Sequence, residues 1–153
     1  MTPEEVLETQ FAGPDTGIFT DGSCDPNPGP GGWGWVWVDN GEILEQGHGR
    51  EPDTTNNRME LRALIEAFQK LPRDRDLEVY SDSQLCVNTI NEWAPGWEKR
   101  GWKRKGGPIK NLDLVQSLYT LAQEKPRIEL RWIRAHDGAR WNEYADALAG
   151  LDA

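Results

Sequence analysis

Residues 54–71 read TTNNRMELRALIEAFQKL, a stretch that places one acid beside a row of apolar residues. Its apolar residues recur at helical spacing, which predicts a helix with one buried face: Met59, Ala63, Leu64, Ala67, Phe68 and Leu71. Glu60 precedes Leu64 by four residues and Ala67 by seven, so its carboxylate shares a flank of that face. Burying an unpaired carboxylate costs on the order of several kcal/mol. Because no lysine or arginine obviously shares that flank, a bound metal ion is a candidate partner for Glu60.

The composition indicates one globular domain. The chain has 153 residues, of which 28% are charged and eight are tryptophans, and short apolar runs provide for a packed core. No run is long enough to span a bilayer, and the first residues lack the pattern of a secretory signal, so we expect a cytoplasmic protein without a membrane partner. Cys24 and Cys86 have no metal-binding spacing and are expected to be free thiols. We expect a flexible arm at 1–15 and a catalytic domain at 16–153.

The remaining patterns predict an α/β fold. Strands are expected at 17–23, 33–38, 42–50, 77–82 and 127–135, and further helices at 83–93, 110–122 and 141–150. Asn40-Gly41 is typical of a type I′ turn, so the first three strands are predicted to be antiparallel. The fourth strand is followed by helices and then by the fifth strand, a crossover that indicates a parallel pair. The result is a five-stranded mixed sheet flanked by helices.

A basic segment interrupts an otherwise acidic chain. The net charge is -9, yet residues 98–110 contain six lysines and arginines against Glu98 alone, a local charge of +5. Trp97 and Trp102 alternate with these cations, and aromatic rings beside cations suit a nucleic acid backbone and its bases. A solvated run of charge is the alternative interpretation.

Four carboxylates occupy positions where acids are unusual. Asp21 lies within a predicted strand, Glu60 on the flank of a buried helix face, Asp82 at a strand end and Asp146 on a partly buried helix. Any one of them alone would be read as a hydrogen-bonded structural acid. Together they suit one or two oxygen-preferring divalent ions, Mg²⁺ or Mn²⁺.

Five sequence motifs contain these acids and part of the basic segment: TDGSCDPNPGPGGWG at 20–34, TTNNRMEL at 54–61, SDSQ at 81–84, WAPGWEKRGWK at 93–103 and AHDGARWNEYADALA at 135–149. In order and spacing they resemble the successive motifs of bacterial type 1 ribonuclease H, over roughly residues 17–150. The resemblance implies a ribonuclease H-like fold. It also implies an endoribonuclease that cleaves the RNA strand of an RNA/DNA hybrid with two Mg²⁺ ions, for which Mn²⁺ can substitute. A self-sufficient domain makes a monomer without an obligate protein partner the expectation.

Carried over by position, the resemblance assigns the site residues. It makes Asp21, Glu60, Asp82 and Asp146 the catalytic, metal-binding acids, and His136 a histidine that assists proton transfer or product release. Glu60 has a second possible task as acceptor for a ribose 2′-OH. The implied substrate-binding residues are Cys24, Asn27, Thr55, Asn56, Asn57 and Gln84, and, in a basic protrusion at about 93–110, Trp93, Trp97, Lys99, Arg100, Trp102 and Lys103. Judged without the resemblance, Asn56 and Asn57 fit helix caps equally well, Arg58 fits a structural or phosphate contact, and Trp93 fits the core.

Two positions depart from the family pattern. Ala135 stands where glycine is usual, and Trp141 where a small residue or proline is usual, so the mobility of the loop around His136 is in question. Two other functions are weighed: a catalytically silent hybrid-binding module of the same fold, and another nuclease or an integrase-like transferase. Retention of the four acids and of His136 argues against the first, and the basic protrusion with Asn56 and Asn57 argues against the second.

Overall fold

The computed structural model describes residues 1–135 and 138–152. In this part of the chain the strands are β1 (Gly17–Cys24), β2 (Gly29–Asp39), β3 (Glu42–Thr54), β4 (Leu77–Ser81) and β5 (Ile128–Trp132). The helices are α1 (Pro3–Thr9), α2 (Asn56–Lys70), α3 (Gln84–Asn88), α4 (Ala94–Lys99), α5 (Leu112–Glu124) and α6 (Arg140–Ala149). A π-helical turn, Thr89–Trp93, joins α3 to α4. None of the described helices is long and apolar enough to cross a membrane.

The strands form one mixed sheet in the order β3-β2-β1-β4-β5. Strands β1, β2 and β3 pair antiparallel, whereas β4 runs parallel to both β1 and β5. The predicted mixed five-stranded sheet is confirmed. Because β1 and β4 are parallel neighbours, their carboxyl ends lie side by side at one edge of the sheet, where α/β proteins usually place their ligands.

The sheet buries both of its faces. Ile18 packs into one core together with α2, α5 and the helical segment around α3, whereas the adjacent Phe19 packs into a second core with α6. Alternate residues of a strand point to opposite faces, so β1 supplies both cores. This explains why β1 is buried along nearly its whole length.

Helix α2 crosses the first face and begins with a side-chain cap. Thr55 accepts a hydrogen bond from the Arg58 backbone N–H at 3.2 Å. At the other end, Lys125 is buried and donates to the backbone carbonyls of Phe68 and Leu71. A lysine that satisfies the last carbonyls also matches the negative end of the helix dipole. Both ends of α2 are therefore fixed.

Several boundaries differ from those expected. Residues 1–15 were expected to lack regular structure, but α1 forms there, because Thr2 caps it and Val6 is buried against α6. The helix expected at 83–93 continues through the π-helical turn into α4, which begins at Ala94 with Pro95 in its first turn, a position that proline tolerates. Strand β5 ends at Trp132, short of the expected residue 135.

Helix α6 lies unusually close to β2. A β-carbon added at Gly32 would be 2.1 Å from the Ala149 carbonyl oxygen, and one added at Gly34 would be 2.7 Å from the Leu148 β-carbon. No side chain larger than hydrogen fits between the two backbones at these positions. Gly32 and Gly34 therefore form a surface on which α6 packs.

Candidate active site

Three carboxylates converge at the carboxyl ends of β1 and β4. Asp21, Glu60 and Asp82 each offer one oxygen, and these oxygens all lie within 4.8 Å of one another. Asp21 is 5% exposed and Glu60 is 8% exposed, while Asp82 is half-buried. The structure thus brings together three of the acids that the sequence singled out.

The backbone explains this convergence. Thr20 of β1 is in register with Ser81 of β4. Asp21, the next residue within β1, and Asp82, which follows the last residue of β4, therefore lie at the same level of the sheet. Glu60 arrives from α2, which touches β1 at Gly22. A β-carbon at Gly22 would be 2.2 Å from the Met59 carbonyl carbon. The Gly22 backbone N–H donates to Glu60 Oε1 at 3.2 Å.

The environment of these acids opposes their ionisation. Burial, followed by the charge of Glu60, raises the pKa of Asp21 well above its ordinary value of 3.8. Burial and the charge of Asp82 raise the pKa of Glu60 to about 8, although hydrogen bonds from Asp21 and Gly22 act in the opposite direction. The charges that raise the pKa values of Asp21 and Glu60 are those of neighbouring carboxylates. The cluster is therefore electrostatically incomplete without added positive charge.

Asp146 lies beside this cluster on α6. Its carboxyl is within hydrogen-bonding reach of Asp21 and contributes to the raised pKa of that residue. Its charge also acts on Glu60. The fourth predicted acid therefore adjoins the other three without belonging to the tight triad. His136 lies outside the described residues, so its predicted role stays a prediction.

The residues present fit a hard divalent cation. All the donors of the triad are carboxylate oxygens, which Mg²⁺ and Mn²⁺ prefer. Glu60 Oε2 is buried and has no hydrogen-bond partner among the described residues, and burial normally requires one. A cation held by Asp21, Glu60 and Asp82 would satisfy that oxygen and offset the repulsion among the acids.

A polar cleft of about 610 Å³ lies beside the start of α2, and the predicted substrate-binding residues Asn27, Thr55, Asn56 and Asn57 line it. Asn56 Oδ1 accepts from the Cys24 backbone N–H at 2.7 Å, and Asn27 Oδ1 accepts from the Asn56 backbone N–H at 3.1 Å. These bonds tie the loop after β1 to α2. Thr55 is the α2 cap, so the structure gives it a structural task in addition to its predicted one.

The basic protrusion presents a second cleft, of about 770 Å³, lined by aromatic and basic residues: Trp93, Trp97, Arg100, Lys103, Arg104 and Lys105. Trp93 is 42% exposed, so it is not a core residue. Trp102 instead packs edge-on against Tyr119 at 5.7 Å between ring centroids, which anchors the protrusion to α5. Lys99 is exposed on α4 but does not line the cleft, and Gln84 is exposed at the start of α3.

Sequence reasoning missed several contributors to these surfaces. Lys110 and Asn111 line the cleft with Asn27, a proximity that arises from the loop before α5 and has no local signal. Trp132 of β5 is half-exposed, and its indole N–H donates to the Asp82 carbonyl at 3.3 Å. Arg58 pairs with both oxygens of Asp113 at 3.0 and 2.9 Å, which confirms a structural contact.

The fold and the acid cluster define a class. A mixed sheet whose parallel strands end at clustered carboxylates, beside an aromatic and basic cleft, is the arrangement of a metal-dependent enzyme that acts on nucleic acid. The family model described as RNase H matches residues 14–153. The chain belongs to the ribonuclease H family, whose members are hydrolases.

Individual relatives agree with this assignment. A ribonuclease H of Herminiimonas arsenicoxydans is 52% identical over 133 residues, which cover 86% of this chain and 90% of that protein. The solved N-terminal RNase H domain of a Mycobacterium tuberculosis protein is 31% identical, with a TM-score of 0.66, over 86% of this chain and 88% of that one. LC11-RNase H1, solved in complex with an RNA/DNA hybrid, is 28% identical with a TM-score of 0.64, over 86% and 94% of the two chains.

Proposed function

We propose that this chain is an endoribonuclease that hydrolyses phosphodiester bonds in the RNA strand of RNA/DNA hybrids, using two divalent metal ions. The observation that carries the proposal is the triad of Asp21, Glu60 and Asp82 with Asp146 beside it. The names of its relatives and the hybrid bound by LC11-RNase H1 support the substrate class.

Each acid has a role in this proposal. Asp21 lies within β1 and Asp82 directly follows the adjacent β4, and with Glu60 and Asp146 they would hold the ions. Bound Mg²⁺ supplies Lewis-acid stabilisation of the attacking water and the leaving oxygen of an in-line displacement. Because Glu60 Oε1 is held by Gly22, its buried Oε2 is the oxygen left for an ion or for a ribose 2′-OH. His136 is proposed to assist proton transfer or product release.

The two clefts are proposed to bind the hybrid. The cleft with Asn27, Thr55, Asn56 and Asn57 would contact the minor groove and a DNA phosphate, together with Cys24, whose backbone N–H is bonded to Asn56, and with Gln84 at the start of α3. The basic protrusion would contact the DNA strand outside the active site through Trp93, Trp97, Trp102, Lys99, Arg100 and Lys103. Contacts to backbone phosphates position a duplex without reading its sequence, which suits an enzyme that acts on any hybrid.

The proposal extends to the setting in which the enzyme acts. We expect a cytoplasmic monomer without an obligate protein partner. Both hydrophobic cores are built from residues of this chain, which supports independent folding.

Cleavage of a labelled RNA/DNA hybrid tests the proposal. The same RNA, single-stranded and as an RNA duplex, serves for comparison, each with EDTA, Mg²⁺ or Mn²⁺. Cutting of the RNA strand in the hybrid alone, and with metal alone, is the expected result. Asp21→Asn should abolish cutting, whereas the matched change Asp39→Asn, at the exposed end of the neighbouring strand, should not. Binding of hybrid without cutting in any metal would refute the proposal and favour the silent module.

A further inference from the structure

The segment that precedes the family match contacts α6 at the point where that helix begins. The match starts at residue 14. Residues 1–13, here called the N-terminal segment, form α1 and a short extension that reaches α6. Val6 of α1 is buried in the second core with Trp141, Tyr144 and Leu148, all from α6. The segment is thus part of the packed structure.

Helix α6 lacks the side-chain cap that a helix start usually has. Its N-cap residue is Ala139, which makes no side-chain capping bond. The first four N–H groups of a helix need partners from outside the helix, and an alanine cap supplies none from its side chain. The N-terminal segment supplies one partner, because the Arg140 N–H donates to the Ala12 carbonyl at 2.9 Å. Ala12 and Ala139 also form an isolated parallel bridge.

The Arg140 side chain also contacts the N-terminal segment, at the junction between that segment and the start of α6. Its guanidinium lies 5.3 Å from the ring centroid of Phe11 and 5.3 Å from that of Trp141. Its Nη2 donates to the Leu7 carbonyl at 3.3 Å. A guanidinium stacked between two aromatic rings is a favourable arrangement. This contact also accounts for the unusual Trp141, which forms one side of the stack and packs against Tyr144.

The junction is close to the acid cluster along the same helix. Asp146 follows Arg140 by six residues, a rise of about 9 Å along the axis. On either side of Asp146, the Tyr144 hydroxyl donates to Gln46 Oε1 at 2.7 Å, and Arg50 donates to the Ala149 carbonyl at 3.4 Å. These bonds hold the middle and the end of α6 to the sheet. At the start of α6, the N-terminal segment adds the backbone bond from Ala12 and the contacts of Arg140 to the packing of Trp141 in the second core.

We propose that the N-terminal segment is a positioning element for Asp146: through Ala12, Phe11 and Arg140 it caps and fixes the start of α6, and so raises the affinity of the acid cluster for a divalent cation. The proposal rests on the proposed function for the identity of the metal-binding acids. Phe11 and Arg140 are positioning residues, since they reach the cluster only through α6.

The first test is Mn²⁺ binding by isothermal titration calorimetry in the absence of substrate. Phe11→Ala removes one side of the stack, and because Phe11 is 71% exposed the variant should fold. Its dissociation constant for Mn²⁺ should rise about 2- to 5-fold, the change that loss of an exposed cation–π contact causes in an equilibrium. Phe11→Tyr should restore the affinity. Leu44→Ala, an exposed apolar residue in β3, is the matched control and should change nothing.

The second test separates positioning from plain stability. With hybrid as substrate, Phe11→Ala should lower kcat at limiting Mg²⁺, leave KM for the hybrid unchanged, and recover kcat at saturating Mg²⁺. Val115→Ala, in the other core, should lower stability without altering the Mn²⁺ affinity. Equal Mn²⁺ affinity in wild type and Phe11→Ala would overturn the inference. Wild-type protein that cuts no hybrid would instead refute the proposed function, and the Mn²⁺ comparison would still decide the inference.

Discussion

Replacing Glu60 by glutamine should stabilise the metal-free protein while abolishing its activity. Glutamine has nearly the same shape, and its carbonyl oxygen can still accept the hydrogen bond from the Gly22 N–H. Its amide can also donate to the carboxylate of Asp21, which Glu60 repels. The substitution therefore removes a buried charge without opening a cavity.

The magnitude follows from the pKa of Glu60. Burial raises this pKa from an ordinary value of 4.5 to about 8. The folded protein thus binds more protons than the unfolded chain between pH 4.5 and 8, so its free energy of unfolding falls as the pH rises through this window. At about 1.4 kcal/mol per pH unit the loss approaches roughly 5 kcal/mol. Local relaxation and water penetration reduce it to about 2–4 kcal/mol.

Urea unfolding in EDTA at pH 5.5 and at pH 8 measures this loss. The wild-type protein should be less stable at pH 8. Glu60→Gln should reduce that difference, with the part that comes from the raised pKa of Asp21 remaining, and should exceed the wild type at pH 8 by about 2–4 kcal/mol, or roughly 5–12 °C in Tm. Mg²⁺ should stabilise the wild type at pH 8 and affect the variant less, because metal binding requires deprotonated acids. A variant that is less stable than the wild type at pH 8 in EDTA would show that Glu60 is not held under electrostatic stress.

Three further variants test other parts of the structure. Replacing Lys99, Arg100, Lys103 and Arg104 together by alanine should weaken hybrid binding, measured by fluorescence anisotropy. The slope of log binding constant against log salt concentration should become shallower by about 2–4. An unchanged slope would show that the segment is a solvated run of charge. Gly32→Ala should cost about 1–3 kcal/mol in urea unfolding and reduce kcat, because its methyl group meets the Ala149 carbonyl, whereas Gly96→Ala, which has space for a β-carbon, should be neutral. Lys125→Met should cost about 2–4 kcal/mol by stranding two carbonyls of α2, with the metal dependence of cleavage unchanged; an equally stable variant would contradict that role.

The sheet and the acids could be read from the sequence because their signals are local. Alternation in β1 and β4, the Asn40-Gly41 turn and the helical spacing around Glu60 each act within a few residues, and the misplaced acids are visible because propensity and burial both disfavour them. Together with the family motifs, these signals are sufficient to predict the class of chemistry.

The features that the sequence does not predict depend on contacts between distant segments. Residues 1–13 show no sustained periodicity, and α1 is stable because Val6 meets a surface of α6 that lies more than a hundred residues away. Lys110 reaches the cleft beside Asn27 through a loop whose path no local pattern specifies. Trp141 looked like a departure near the active site, and its role became clear with the position of Arg140 and Phe11.

The contact at Gly22 means that the most important spacing in the site is set by a residue with no chemistry of its own. Asp21 and Glu60 belong to different segments, and they meet because α2 rests directly on the main chain of β1 at that glycine. One added methyl group would lift the whole helix and draw the two carboxylates apart. A survey that replaces polar groups one at a time would test every acid and overlook Gly22, although alanine at this position would keep all four acids and move Glu60 away from Asp21.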